Sequence, residues 1–293
     1  MLHVIIGIDD TDNAESRGTG SIATEMCELI EGNQWGTCDW ITRHQLFLHP
    51  DIAYTSHNSA MIFTAMIQEV CWETLQTMLQ QYLERESAEG SDPGICMGIV
   101  DEIQEIEALV AFGYSAKRQV RTKAEAYALA KQCGLSLTEH GGAGIGVIGA
   151  LAGVALRLEG NDGEVKGGLN QYEKGSVVTA AQFLQEPTIF KVCTEYLEEV
   201  APETQITVQW KVKPVLAQGK PILLVGKDAQ GAYHTLNKKR IREFGEKRAN
   251  TAPCSVFAYD VEEELVETQA DSCFNCRYRR WSENGFTCMK GRR

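Results

Sequence analysis

The chain opens on a short apolar run, Val4-Ile5-Ile6-Gly7-Ile8, that stops at a pair of aspartates, the pattern of a buried strand ending in a polar loop. Apolar positions then recur at helical spacing from Ile22 to Glu31. Strand character returns over Asp39–Leu48 and Ala60–Gln68, and a second helix follows over Trp72–Glu84. Strand, acidic loop, helix and further strands in this order predict an α/β unit. The stretch from Glu86 to Gly94 is polar and turn-rich, which predicts a domain boundary near residue 90.

Beyond it the pattern predicts a strand over Ile95–Val100, helices over Asp101–Phe112 and Thr122–Cys133, and a strand over Leu135–Glu139. A glycine loop, Gly141-Gly142-Ala143-Gly144-Ile145-Gly146, leads into a helix of small residues from Val147 to Leu156. Two more helices are expected at Ala180–Gln185 and Pro187–Val200. Strands follow at Gln205–Val215, Ile222–Lys227 and Tyr233–Leu236, with turns at Gln218-Gly219 and Asp228–Gly231. No internal repeat interrupts this order.

Composition supports buried cores, with 43% apolar and 23% charged residues in 293. The 28 Lys and Arg against 40 Asp and Glu leave a net charge of −12, which argues against a generally basic nucleic-acid binder. The sign reverses locally. Lys238–Arg248 carries six basic residues against two acidic, and so does the tail from Asp271, so any contact with a polyanion is expected in those two segments. The first apolar run is too short for export or membrane spanning and has no basic region before it, so a cytoplasmic location without a membrane partner is expected. Cys27, Cys38, Cys71, Cys96, Cys133 and Cys193 are then reduced, structural thiols.

Asp9, Asp10 and Asp12 are three carboxylates within four residues, followed by Gly18-Thr19-Gly20-Ser21 and a helix start. Such a cluster repels itself unless a cation or hydrogen-bond donors offset the charge. A strand end facing a glycine turn and a helix N-terminus is also where an α/β protein holds phosphate. Carboxylates for Mg²⁺ beside amides for phosphate describe a nucleotide site. A solvated acidic turn capped by Asp12 or Asn13 would use the same residues.

Two further signals carry chemistry. Gly144-Ile145-Gly146-Val147-Ile148-Gly149 spells a dinucleotide fingerprint, but the acidic residues that follow lie in a turn cluster nearer than the roughly twenty positions that fold requires. These glycines otherwise serve tight helix–sheet packing. Near the C-terminus, Cys273 and Cys276 form a C-x2-C pair with Cys288 beyond and Cys254 upstream, four thiols at a spacing usable by Zn²⁺. An Fe–S cluster or free thiols are the alternatives. Tyr278, Trp281 and Phe286 among the arginines would stack on bases or form the mini-core of a knuckle.

Gly7-Ile8-Asp9-Asp10-Thr11-Asp12 with Gly18 and a Ser/Thr-containing helix start resembles the N-terminal part of the tRNA 2-agmatinylcytidine synthetase family. Arg43 with Leu46, His49–Thr55, Asn58-Ser59-Ala60 and Gly146–Ala152 resemble the same family in the same order, over roughly half the chain. The resemblance implies an α+β protein with a kinase-like domain at 1–90, a ferredoxin-like domain at 91–200 and a small β- and cysteine-containing region at 201–293. It implies an enzyme that uses ATP to phosphorylate the C2 carbonyl of a wobble cytidine in an isoleucine tRNA and lets agmatine displace the phosphate. Carried over by motif, Asp9, Asp10 and Asp12 would hold Mg²⁺ and Thr11 would contact a phosphate. Gly18, Thr19, Gly20 and Ser21 would form the loop beside the transferred group, with Ser21 as its hydroxyl. Arg43, Asn58, Gly144 and Gly146 would complete the ATP site. Where full members continue into an OB-fold and a zinc ribbon that grip tRNA, fewer than a hundred residues follow Val200 here. Two alternatives keep the acidic loop: an ATP-dependent kinase or ligase for a small molecule, and a non-catalytic nucleotide-binding module.

Overall fold

The computed structural model of the chain describes residues 1–13, 15–49, 52, 58–237, 241, 276–282 and 285–288. In chain order the first half holds β1 (Leu2–Asp9), α1 (Thr19–Gly32), β2 (Gly36–Cys38), β3 (Thr42–Gln45), β4 (Ser59–Ile67), α2 (Trp72–Glu86), β5 (Gly94–Ile99), α3 (Ile106–Ser115), α4 (Lys123–Cys133), β6 (Ser136–Glu139) and α5 (Gly146–Glu159). The second half holds β7 (Glu164–Val165), β8 (Val177–Thr179), α6 (Ala180–Phe183), β9 (Lys191–Thr194), β10 (Gln205–Thr207), β11 (Val215–Ala217), β12 (Lys220–Lys227) and β13 (Tyr233–Thr235). The hairpin β14 (Arg279–Ser282) and β15 (Gly285–Cys288) forms a separate two-stranded sheet. The fold is mixed α/β.

β1 runs through the middle of the first half because it is apolar on both faces. Val4, Ile6 and Ile8 pack against α1 and α2, while Ile5 joins the opposite core with α3, α4 and α5. A strand covered on both sides reads as a continuous apolar run rather than an alternation. Its neighbours lie in the order β6-β5-β1-β4-β3, every pair antiparallel. Gly7 lets α5 lie directly on this strand: a Cβ there would stand 2.7 to 2.9 Å from Ile62, Val154 and the Ala150 carbonyl.

β5 pairs with β1, Val4 to Asp9 against Ile99 to Gly94, so strands from both sides of the polar stretch near residue 90 share one sheet. The polar stretch there is a surface connection, tied back by the Ala88 amide donating to the Thr11 carbonyl at 3.0 Å. β6 lies antiparallel beside β5 at the sheet edge, whereas a dinucleotide unit needs parallel strands across the helix. No helix forms over Pro187–Val200. Val192 and Cys193 are buried in β9, which runs parallel to β12, and this pairing with an apolar strand outweighs local helical spacing. The long strand expected over Gln205–Val215 is two short ones, β10 and β11, with the half-exposed Trp210 between them.

The sheet continues into the second half through β3 and β7, where Thr42 and Arg43 face Val165 and Glu164. Alternation along β3 turns Thr42 and His44 inward. His44 Nδ1 meets Asp162 Oδ1 at 3.0 Å and His44 Nε2 meets Thr42 Oγ1 at 2.8 Å. Lys117 Nζ reaches Asp162 Oδ2 at 2.5 Å, which closes a buried polar network across the junction.

Cys27, Cys38, Cys71, Cys96, Cys133 and Cys193 are free thiols. No helix among the described residues is long and apolar enough to cross a membrane. Cys254, Cys273 and the basic residues of Lys238–Arg248 lie outside the described residues, and Cys288 is described in backbone only, so the expected zinc knuckle lies outside them too.

Candidate active site

A cavity of about 440 Å³ opens where β1 ends. Asp9, Asp10 and Asp12 line it from the strand end, Gly18, Thr19 and Gly20 from the start of α1, Arg43 from β3, Asn58 from the start of β4 and Gly146 from α5. Nine of the residues singled out in the sequence therefore meet at one cavity.

The carboxylates are crowded. Asp9 is 8% exposed, and burial, reinforced by Asp10 and Asp12, pushes its carboxyl up to about 8 despite a hydrogen bond from the Asp10 amide. Asp10 is pushed up to about 6 by burial and by Asp92 and Asp12. Its backbone sits in the left-handed region at φ 55°, a strained conformation for a residue with a side chain. Thr19 Oγ1 donates to Asp12 Oδ1 at 3.2 Å. Among the described residues no three His, Cys, Asp or Glu side chains are placed to hold a metal ion, so the expected three-aspartate Mg²⁺ set is not preassembled. The donor chemistry still fits. Mg²⁺ commonly takes one or two carboxylates and fills its remaining positions with phosphate oxygens and water, and two carboxyls held far above their usual range are stabilised in their ionised form by a nearby cation.

The α1 end suits an anion. Its N-cap is Gly18, which has no side chain to satisfy the first-turn amides, and the Ser21 amide returns to the Gly18 carbonyl at 2.8 Å. Arg17 just before it is fixed by Glu25 and Glu86, each at 2.6 Å. The local turn reading also holds: Asn13 Oδ1 accepts from the amides of Glu15 and Ser16 at 3.0 and 2.9 Å.

Three expected residues lie elsewhere. Thr11 is buried at 1% exposure, and its hydroxyl does not line the cavity. Ser21 sits in the first turn of α1 and does not line it either, which leaves Thr19 as the loop hydroxyl at the site. Gly144 stands outside because the glycine loop already holds an anion of the chain's own, Asp92. The amides of Ala143 and Gly144 donate to Asp92 Oδ1, the latter at 3.2 Å, and the Gly146 amide takes the Asp92 carbonyl at 2.9 Å. The loop therefore spends these donors internally. Arg43 lines the cavity with its guanidinium on Glu164 at 3.2 Å. Asn58 joins the ends of β3 and β4, its amide donating to the Phe47 carbonyl at 2.7 Å. Of His49–Thr55 only His49 and Ile52 are described, and Ile52 lines the cavity.

Part of the wall comes from outside the motifs. Gln119, Val120, Arg121, Thr122 and Lys123 lead into α4 and line the cavity. Its local signals are legible: Thr122 and Glu125 make a capping box, and Lys117, Arg118, Arg121 and Lys123 put four cations in seven residues. Nothing in those signals relates them to a loop more than a hundred residues earlier.

No family model and no curated protein matches this chain. Part of the chain aligns with solved structures. A complex of TiaS with an isoleucine tRNA and ATP aligns at 24% identity and a TM-score of 0.46 over 53% of this chain and 36% of that one. A tRNA fluorescent labeling enzyme aligns at 26% and 0.44 over 53% and 36%, and apo TiaS, an agmatidine synthetase for isoleucine tRNA, at 24% and 0.44 over 53% and 35%. The chain thus spans little more than a third of the structures it matches.

The tightest packing in the site sets a prediction. A Cβ at Gly149 would overlap the Asp9 carboxylate, so α5 approaches β1 closely only because this position is bare. Gly149→Ala is expected to turn Asp9 out of the cavity and cost about 1–3 kcal/mol of stability. A urea melt checks the cost, and an unchanged midpoint would show that the strand and helix do not depend on this bare position.

Proposed function

We propose that this chain is an ATP-dependent enzyme that phosphorylates an acceptor carbonyl and lets an amine displace the phosphate, of the kind that joins agmatine to the wobble cytidine of an isoleucine tRNA. The observation that carries this reading is the convergence on one cavity of the crowded carboxylates Asp9 and Asp10, the uncapped start of α1, and the cations Arg43, Arg121 and Lys123. Phosphoryl transfer asks chiefly for positioning and charge neutralisation, which this set can supply. The ordered motifs from Gly7 to Ala152 support the same reading.

Asp9 and Asp10 would hold Mg²⁺, and the bound cation would neutralise the triphosphate. The first-turn amides of α1 and the Thr19 hydroxyl orient the terminal phosphate. Val120 and Ile145, two large apolar side chains left more than 40% exposed at the cavity wall, offer flat cover to a nucleobase. The γ-phosphoryl group passes to the carbonyl oxygen, the amine adds at the carbonyl carbon, and inorganic phosphate departs.

A small-molecule acceptor is the second reading, favoured by the net charge of −12. Incubation with α- and γ-labelled ATP and Mg²⁺, with and without bulk tRNA and agmatine, separates the two. Phosphate release that needs tRNA and falls steeply with salt is the expected result. Turnover without tRNA selects the small-molecule reading, and absence of turnover and of labelled protein would overturn both.

A further inference from the structure

The sheet brings a carboxylate from the second half of the chain to the wall of the cavity. Arg43 lines that wall, and alternation along β3 puts it on the face opposite Thr42 and His44. Its register partner on β4, Met61, shares that face and also lines the cavity. On its other side Arg43 stands directly opposite Glu164 of β7. The two side chains meet, Arg43 Nη2 donating to Glu164 Oε2 at 3.2 Å, and Lys213 Nζ reaches the same oxygen at 3.0 Å. The arginine and the glutamate are 17% and 15% exposed, so the pair is sheltered from the screening that weakens a surface ion pair.

The guanidinium keeps donors to give. Nε and Nη1 have no partner among the described residues, and neither is sealed from open space. One glutamate between two cations leaves the group with a net positive charge beside Asp9, Asp10 and Asp12. An arginine at the wall of so acidic a cavity is drawn towards the aspartates, and a contact there would fill the space between them. Glu164 supplies a competing anion from the neighbouring strand, and the strand pairing fixes where that anion stands. A fork held at one tip presents its remaining edge with little rotamer freedom left to lose on binding.

We propose that Glu164 is a positioning residue of the site: it holds Arg43 off the acidic loop and leaves the free donors of the guanidinium to the phosphate chain of the nucleotide. This rests on the nucleotide reading of the cavity and adds to it a residue from outside every motif. The pairing of β3 with β7 then has a second role besides joining the halves of the sheet, since the second half supplies the anion that orients a ligand-binding cation of the first.

Calorimetric titration of the full chain with Mg·ATP and with adenosine tests the assignment in the wild type, Arg43→Gln, Glu164→Gln, Glu164→Asp and the Arg43→Gln/Glu164→Gln double variant. Arg43→Gln is expected to weaken Mg·ATP by ~10- to 100-fold and adenosine by less than about 3-fold. Glu164→Gln removes a negative charge, which by field alone would tighten the binding of a polyanion. An expected loss of about 5- to 10-fold for Mg·ATP therefore reports lost orientation. In the Arg43→Gln background the same change is expected to move Mg·ATP by less than about 2-fold, because no guanidinium is left to orient. Glu164→Asp keeps the charge but draws it back by one methylene, with an expected loss of about 3-fold, and it keeps the test decisive if Glu164→Gln fails to fold. Mg·ATP affinity unchanged or higher in both Glu164 variants, an equal loss with and without Arg43, or wild-type affinity in Arg43→Gln would overturn the proposal with the nucleotide reading intact. A wild-type chain that binds no Mg·ATP would overturn the nucleotide reading and this assignment with it.

Discussion

Asp9→Asn is expected to lower ATP turnover by about 100- to 1000-fold while making the nucleotide-free protein more stable, by ~2 kcal/mol at pH 7. Both effects come from one placement. Asp9 ends the central strand, buried against the bare Gly149 of α5 with Asp10 and Asp12 beside it. Its carboxyl, pushed up to about 8, keeps a proton in the folded state that the unfolded chain has released at neutral pH. The folded state therefore binds more protons between about pH 4 and 8, and stability falls as pH rises through that window. Asparagine cannot ionise, so the slope that Asp9 contributes vanishes with the substitution. Mg·ATP is expected to stabilise the wild type and not the variant, because a bound cation offsets the charge that burial penalises. Urea unfolding at several pH values, with and without Mg·ATP, measures all of this. A variant less stable than wild type across pH 6 to 8, or one that keeps full turnover, would remove Asp9 from the centre of the site.

Asp162→Ala is expected to cost about 3–5 kcal/mol of stability. Asp162 is 4% exposed and His44 is fully buried, and the two meet beneath β3 with Lys117 on the second carboxylate oxygen. Burial pushes the Asp162 carboxyl up, but Lys117 and His44 together outweigh it and hold it at about 2. Burial pushes His44 below its usual value, and the Asp162 hydrogen bond only partly offsets that. A neutral ring that donates from Nδ1 to Asp162 and accepts from Thr42 fits these distances. Removing the carboxylate leaves Lys117 without its counter-ion and a buried imidazole N–H without its acceptor. Asp162→Asn is milder, since its amide oxygen still accepts one bond. The stabilisation is complete above about pH 4, the ordinary range of an unfolded aspartate, and is lost as pH falls towards 2. Acid and urea titrations of both variants check the sign and the size, and a loss under ~1 kcal/mol in Asp162→Ala would show that the junction does not depend on this network.

The network also bears on the site. Lys117 precedes the segment that carries Arg121, and Arg43 of β3 lies between Asp162's neighbour Glu164 and the cavity. The contacts that join the two halves of the sheet thus reach the walls of the cavity, and damage at Asp162 is expected to be felt there as well.

The sequence alone determined the features that short-range physics writes into neighbouring residues. The apolar run of β1 ending at Asp9 and Asp10, the glycine start of α1, the Thr122–Glu125 cap and the small-residue face of α5 are each legible because strand pairing, capping and close packing demand particular residues at fixed spacing. That Asp9, Asp10, Asp12, Thr19, Arg43 and Gly146 line one cavity is seen only in the folded chain. Only the tertiary structure decided what distance in the chain conceals. The glycine loop holds Asp92, some fifty residues earlier, so its amides turn inward. Thr11 and Ser21 face away from the cavity that their neighbours line, because one residue of a loop or part of a helical turn reverses a side chain's direction. β9 is a strand because β12 lies beside it. His44 and Asp162, 118 residues apart, meet only because β3 and β7 are adjacent. Arg121 comes to the cavity that the acidic loop also lines through tertiary packing: local periodicity specifies which face a residue takes, and only the order of the strands specifies what stands opposite.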